Sequence, residues 1–127
     1  MLLYVDVGSN DLGRSARFYD AVLGALGYER QRSGSEGLGY GAPGMEQPVF
    51  WVMRPWDGKP ATIGNGSMPA FTAPSRAAVD AFHAAGLAQG GTDEGAPGLR
   101  PYRADFYACY LRDPDGNKLS AVCDRPE

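Results

Sequence analysis

Residues 11–28, DLGRSARFYDAVLGALGY, carry the strongest structural signal in the sequence. Asp11 can accept hydrogen bonds from the free amide groups that open a helix. Apolar side chains then recur at three- and four-residue steps and form one stripe, at Leu12, Ala16, Tyr19, Leu23 and Leu26. Gly27 supplies a left-handed stop. The stretch therefore predicts an amphipathic helix with one buried face.

The same helix pattern returns 64 residues further along the chain. Four identities support this offset, since they pair Phe18 with Phe82, Ala21 with Ala85, Leu23 with Leu87 and Gly27 with Gly91. Ser75 takes the position of the helix cap Asp11. An internal repeat outweighs local guesses about secondary structure, so we predict two copies of one structural unit.

Strand-like segments surround both predicted helices. In the first half they are residues 2–7 before the helix and 28–32, 38–41 and 48–54 after it. In the second half they are residues 68–73 before the helix, and 105–112 and 118–123 on either side of the turn DPDGN at 113–117. Residues 92–103 read as a loop. We therefore predict an α+β fold of two tandem βαβββ modules, which form a curved mixed sheet around a shared cleft with the helices on the outer face.

The chain of 127 residues is predicted to be one domain. Module 1 covers approximately residues 1–55 and module 2 approximately residues 67–124. The Gly- and Pro-containing segment 56–66 is interpreted as a linker within the domain, because neither half alone could bury its sheet.

Charge and composition exclude several kinds of partner. The net charge is −3 and no block of like charge occurs, so we expect no nucleic acid partner. No run of eighteen apolar residues and no signal peptide is present, so we expect no membrane partner and a cytoplasmic location. Cys109 and Cys123 lie in apolar runs and are predicted to be buried free thiols.

Three motifs resemble the vicinal oxygen chelate superfamily of glyoxalases, bleomycin resistance proteins and dioxygenases. They are the first-helix stretch quoted above, APSRAAVDAFHAAGLAQGG at 73–91 and DPDGNKLSAV at 113–122. The resemblance implies a divalent metal, held by His and carboxylate side chains on the first and last strands of the modules. In such proteins the metal chelates two adjacent substrate oxygens and acts as a Lewis acid.

The positions that the resemblance assigns to metal ligands hold other residues here. They are Tyr4, Trp51, Met68 and Ser120. A phenol, an indole, a thioether and a hydroxyl provide neither imidazole nor an anionic oxygen at neutral pH, so we expect no metal and no other cofactor. The single histidine, His83, falls on the second helix, where it could pair with Asp80 or act only as a boundary residue.

Strand alternation predicts which side chains line the cleft. The candidates for a ligand pocket are Tyr4, Asp6, Trp51, Met53, Met68, Phe106, Tyr110 and Ser120, with Arg103 from the preceding loop. Asp6 is the one weak candidate for a catalytic base, since burial would raise its pKa and suit it to that role. The alternative is a solvated carboxylate or a partner for an arginine. Beside Trp51, Asp6 would also favour a cationic ligand. Alternatively, Trp51, Met68 and Phe106 pack together and fill the cleft.

Three functional hypotheses follow. The first is a metal-independent protein that binds a small hydrophobic or aromatic molecule. The second is an enzyme of the glyoxalase or dioxygenase type, with a displaced metal site or with metal-free acid–base chemistry. The third is an interaction protein with a closed cleft that forms a homodimer through an exposed strand or sheet face. The sequence does not decide whether the protein is an enzyme.

Overall fold

The computed structural model describes residues 1–127 and contains two helices and eight strands. In chain order these are β1 (Val5–Gly8), α1 (Leu12–Gly24), β2 (Glu29–Ser33), β3 (Gly37–Gly41), β4 (Phe50–Met53), β5 (Ala70–Thr72), α2 (Arg76–Ala88), β6 (Thr92–Leu99), β7 (Phe106–Arg112) and β8 (Lys118–Asp124). This order confirms the α+β class and the two βαβββ modules.

The strands form two four-stranded sheets with the same topology. Sheet 1 has the order β1-β4-β3-β2 and sheet 2 the order β5-β8-β7-β6. The first strand of each module runs parallel to the last, and the remaining pairs are antiparallel. The sheets are separate, because β1 pairs only with β4 and β5 only with β8.

Both helices begin where the sequence predicts. The Asp11 carboxylate accepts a hydrogen bond from the Arg14 amide at 2.9 Å, and the Ser75 hydroxyl accepts one from the Ala78 amide at 3.0 Å. Gly27 has a φ of 89°, the left-handed conformation expected after α1.

One buried core joins the two modules. The helices pack against each other, and an aromatic series runs across the core from Tyr19 through Phe50 and Phe71 to Phe82. Both sheets therefore turn their helix-covered faces toward this core. Their opposite faces, which were predicted to share one cleft, lie away from it on separate modules.

The hairpin turn of module 2 connects the modules by polar contacts. The Tyr19 hydroxyl donates to Asp113 at 2.5 Å, and Asn117 Nδ2 donates to the Gly8 carbonyl oxygen at 2.8 Å. Burial is the main cause that raises the pKa of Asp113, and burial with the neighbouring carboxylate raises the pKa of Tyr19 well above its ordinary value. The turn is thus a buried polar link between the first helix and the last two strands.

Two of the predicted strand assignments need correction. The first strand begins at Val5, because the hydrogen bond from the Val5 amide to the Val49 carbonyl is the first that links it to β4. Residues 2–4 lie outside it and are exposed. Residues 92–99 form the edge strand β6, where only a loop was predicted. Its pairing with β7 shifts register at Gly95 and again before Gly98, which removes the regular alternation from the sequence.

The state of the two cysteines agrees with the prediction from the sequence. Cys109 and Cys123 are buried free thiols, and burial raises the pKa of Cys109 to about 11. Neither helix has the length and apolar character needed to span a bilayer.

Candidate functional site

The predicted pocket residues are distributed over three grooves. The sheet-2 groove, of about 500 Å³, lies on the face of sheet 2 away from the core and is lined by Met68, Ala70, Glu94, Gly95, Arg100, Tyr102, Phe106, Tyr110, Lys118, Ser120 and Val122. The inter-sheet groove, of about 630 Å³, lies between β1 and β5. The linker groove, of about 440 Å³, lies between β1 and residues 53–62.

Four of the nine candidates come together in the sheet-2 groove. They are Met68, Phe106, Tyr110 and Ser120. Tyr110 and Ser120 are directly opposite each other on β7 and β8, and Ala70 is opposite Ser120 on β5. These side chains therefore lie on one face of sheet 2, as strand alternation requires.

In module 1 the corresponding face is covered by its own side chains. A Cβ atom at Gly39 would lie 2.9 Å from Cζ3 of Trp51, and one at Gly37 would lie 2.1 Å from Sδ of Met53. Trp51 and Met53 thus lie over the glycines of β3. Met53 still lines the linker groove, whereas Trp51 lines none of the three grooves.

Tyr4 and Asp6 are more exposed than predicted. Tyr4 precedes β1, is 52% exposed and lines none of the three grooves. Asp6 is next to Trp51 across the β1–β4 pair, as expected, and lies at the border of the inter-sheet and linker grooves. It is exposed, so the burial on which its role as a catalytic base depends is absent.

Arg103 lies beside the sheet-2 groove but does not line it. Its guanidinium lies 5.2 Å from the centre of the Phe106 ring and forms an ion pair of 2.6 Å with Asp124. The arrangement supports the Phe106 ring from outside the groove.

The inter-sheet groove is apolar and opens between two strand edges. Thirteen of its 18 lining residues are hydrophobic, and they include Leu23 and Phe71 from the core side. The Tyr28 hydroxyl crosses from module 1 and donates to the Thr72 carbonyl oxygen at 2.8 Å. This groove follows from how the modules pack, which the sequence pattern did not reveal.

Cationic groups gather around one ring of the sheet-2 groove. The Arg100 guanidinium lies 5.3 Å and the Lys118 ammonium 5.8 Å from the centre of the Tyr110 ring. Burial raises the pKa of Tyr110, so its phenol is neutral at neutral pH. Glu94, the one acidic residue of the lining, forms an ion pair of 2.7 Å with Arg112.

Ser120 adds a buried hydroxyl to the same groove. The residue is 1% exposed, and its Oγ atom has no hydrogen-bond partner. A buried polar atom without a partner costs about 1–3 kcal/mol of stability, so a ligand that bonded to this hydroxyl would recover that energy.

Lys118 and Glu94 were not among the predicted site residues. Lys118 is two positions before Ser120 on the same strand, so alternation contained the signal for it. Glu94 lies on β6, which was not predicted as a strand and offered no such signal.

The donor atoms at the implied metal positions do not fit a divalent cation. Met68 and Ser120 share the sheet-2 groove, whereas Tyr4 and Trp51 lie elsewhere. No group of three or more His, Cys, Asp or Glu side chains converges anywhere in the structure. His83 pairs with Asp93 at 2.8 Å and not with Asp80, which instead accepts from the Tyr107 hydroxyl. The groove offers rings, cations and hydroxyls as binding groups.

Fold and site together define a class of small α+β proteins, in which paired βαβββ modules present a groove on the open face of a sheet. A model of the Glyoxalase/Bleomycin resistance protein/Dioxygenase superfamily matches residues 2–120, and the chain belongs to this superfamily.

Solved structures agree with this assignment. A glyoxalase/bleomycin resistance protein from Albidiferax ferrireducens is 46% identical, with 99% of both chains covered and a TM-score of 0.87. A glyoxalase-related enzyme from Fulvimarina pelagi is 21% identical, with coverage of 97% of this chain and 87% of that one and a TM-score of 0.75. A lactoylglutathione lyase from Agrobacterium tumefaciens is 19% identical, with coverage of 96% and 92% and a TM-score of 0.64. The last two share the fold alone. No curated protein matches the chain.

Proposed function

We propose that the protein binds a small aromatic or hydrophobic organic molecule in the sheet-2 groove, without a metal. The observation that carries this proposal is an open groove of about 500 Å³ with a buried, unpartnered Ser120 hydroxyl in its wall. Pockets for organic ligands have volumes of roughly 300–1,000 Å³ and combine apolar walls with a few polar groups. Met68, Phe106 and Val122 supply such a wall.

Metal independence is supported by the donor atoms of the groove. The thioether of Met68 and the hydroxyl of Ser120 are poor ligands for Mg²⁺, Mn²⁺ or Zn²⁺ when no imidazole or free carboxylate accompanies them. Glu94 is engaged by Arg112, which leaves no free carboxylate in the lining. Binding in the groove would therefore depend on shape, rings and hydrogen bonds.

The alternative is an enzyme of the glyoxalase or dioxygenase type. Such an enzyme would need a metal or a general base within reach of its substrate. The sheet-2 groove offers no set of metal-binding side chains and no free carboxylate base, because its one carboxylate is ion-paired and Asp6 lies outside it. The geometry favours binding over catalysis.

We further propose that the protein is cytoplasmic and forms a homodimer. Two free thiols are typical of a reducing compartment, which supports the cytoplasmic location.

The homodimer is supported by an exposed apolar patch near β1, whose outer edge pairs with no other strand. The patch consists of Leu2, Leu3 and Val49, and a second copy of the chain would cover it. Sedimentation analysis of the wild type tests this, and a monomer at micromolar concentration contradicts it.

A thermal-shift screen with a library of aromatic compounds, run with and without a chelator, tests the binding function. We expect stabilising ligands whose effect survives chelation, since ligands that bind the folded state raise its stability. Stoichiometric metal in the purified protein, lost together with ligand binding on chelation, contradicts metal independence.

Two variants locate the binding site. Ser120→Trp fills the groove from its buried wall, and Val122→Trp blocks it from a half-buried position that lines neither of the other two grooves. Both should abolish stabilisation by the ligands. Ser35→Trp, on an exposed turn, is the matched control and should leave binding unchanged. A ligand that binds all three variants equally does not occupy the sheet-2 groove.

A further inference from the structure

We infer that the sheet-2 groove selects aromatic ligands that carry a negatively charged group, with Arg100 and Lys118 as the residues that recognise the charge. This inference rests on the proposed binding function and names the class of ligand. It reverses the expectation of a cationic ligand, which depended on Asp6 and Trp51. The structure places Trp51 outside the groove and Asp6 at the opposite module.

The first argument is that two cations lie over one ring without a carboxylate. Five arginines of the chain form ion pairs with Asp or Glu, namely Arg14, Arg30, Arg76, Arg103 and Arg112. Arg100 and Lys118 form none, although the protein has fifteen acidic side chains and a net charge of −3. Both line the sheet-2 groove and lie within 6 Å of the Tyr110 ring centre, so they give this part of the groove a positive potential that favours a bound anion.

The second argument is that the guanidinium is held in place before any ligand binds. Arg100 Nη2 donates to the Ala96 carbonyl oxygen at 2.7 Å. A Cβ atom at Gly95 would lie 3.3 Å from Nη2, and one at Gly98 would lie 3.1 Å from Nη1. Two glycines of β6 therefore leave the space that the guanidinium occupies. A group held in its binding position loses less conformational entropy when the ligand arrives.

The third argument is the buried hydroxyl next to these cations. Ser120 is opposite Tyr110 in the β7–β8 pair, and its Oγ atom lacks a partner. A hydroxyl can donate to a carboxylate oxygen, and bonds of this charge-assisted kind are about twice as strong as neutral ones. The ring of such a ligand would meet Phe106 and Tyr102, whose rings lie edge to face at 5.2 Å.

Three naphthalene compounds that differ in charge test the inference. They are 2-naphthoate, its neutral amide and the cationic 2-naphthylmethylamine, each titrated against the full chain by calorimetry and by NMR. We expect naphthoate to bind about tenfold more tightly than the amide, which corresponds to one favourable charged contact, and the amine to bind most weakly. The preference for naphthoate should decrease as salt increases.

Substitutions then assign the preference to the two cations. Arg100→Gln and Lys118→Gln should each weaken naphthoate binding and leave amide binding within about twofold, since both retain the apolar walls. Lys59→Gln, at an exposed lysine without a carboxylate partner, is the matched control and should change neither.

The outcomes separate this inference from the proposed function. Equal affinity for naphthoate and the amide, tighter binding of the amine, or no binding of naphthoate at millimolar concentration overturns the selection of anions. Binding of any aromatic compound that Val122→Trp abolishes still supports the sheet-2 groove as a binding site in those cases. If no compound of the aromatic library binds, the proposed function itself fails.

Discussion

Equivalent rows of residues cross the two sheets, but the sheet face is covered in module 1 and open in module 2. In module 1 the row across the sheet reads Asp6, Trp51 and Gly39, and in module 2 it reads Ala70, Ser120 and Tyr110. In module 1 the large ring belongs to Trp51 on the last strand, β4, and it lies over Gly39. In module 2 the ring belongs to Tyr110 on β7, next to the last strand, where it is opposite Ser120 and leaves a groove. Whether this face is covered or open thus depends on which strand carries the ring.

The turn at 113–117 links module 2 to module 1 by buried hydrogen bonds, and removing its buried carboxylate, Asp113, should have the largest effect. Asp113→Ala leaves the buried Tyr19 hydroxyl and the amides of Asp115 and Asn117 without their acceptor. We expect a loss of about 3 kcal/mol in the free energy of unfolding, measured with urea. The exposed control Glu46→Ala should lose less than about 0.5 kcal/mol. A similar small loss for Asp113→Ala would show that the turn does not join the modules.

A Gly→Ala substitution should reduce stability more on the covered face of module 1 than beside the open groove of module 2. A Cβ atom at Gly39 would lie within 3 Å of Pro48 and Trp51, so Gly39→Ala should destabilise the fold by about 2 kcal/mol. Gly98→Ala meets only the end of the flexible Arg100 side chain. It should change stability by less than about 0.5 kcal/mol and reduce the preference for naphthoate over its amide. Equal destabilisation in thermal unfolding would remove the distinction between a covered and an open face.

Replacing two buried serines by alanine should change the stability of the protein in opposite directions. Ser120→Ala removes a hydroxyl that has no partner and should stabilise the ligand-free protein by about 1 kcal/mol while weakening naphthoate binding. Ser9 is equally buried, but its hydroxyl bonds to Ser15 at 2.6 Å. Ser9→Ala should therefore lose about 1 kcal/mol. Denaturation curves for both variants decide the matter, and a destabilising Ser120→Ala would indicate that the hydroxyl is already satisfied.

The smallest expected effect is a pH dependence of stability that arises from Asp113 in module 2. Because burial raises the pKa of Asp113 in the folded state, the folded protein binds a proton at higher pH than the unfolded chain does. The wild type should therefore gain stability relative to Asp113→Asn as the pH falls through the folded pKa, and the gain should level off below the ordinary value of 3.8. Stability of the two proteins measured from pH 7 to pH 3 tests the sign. A relative loss for the wild type over that range means that the hydrogen bonds to the carboxylate outweigh its burial.

Local signals in the sequence were sufficient for most of the fold. The caps Asp11 and Ser75 and the stop at Gly27 act within one or two turns of a helix. Together with the repeat at an offset of 64 residues, they identified both modules. Strand β6 was missed because two register shifts, near Gly95 and Gly98, break the alternation that identifies a strand.

The candidate site was only partly predictable, because it depends on contacts between distant residues. Alternation placed Tyr110 and Ser120 on one face, and it would also have placed Lys118 there. The position of Arg100 over Tyr110 follows from the shifted β6–β7 pairing, which no local pattern reveals. The separation of Trp51 from that face follows from the packing of one module against the other.

The polar link at the hairpin also determines when the chain can fold during its synthesis. Its hydrogen bonds join residues that are 94 positions apart at Tyr19 and Asp113, and 109 apart at Gly8 and Asn117. Long sequence separations slow folding, because the chain entropy is lost before the contacts form. On the ribosome, the Tyr19 hydroxyl and the Gly8 carbonyl therefore lack these partners until residues 113–117 have emerged. Incompletely folded chains expose apolar surface that favours aggregation, so the synthesis of this turn completes the protection of module 1.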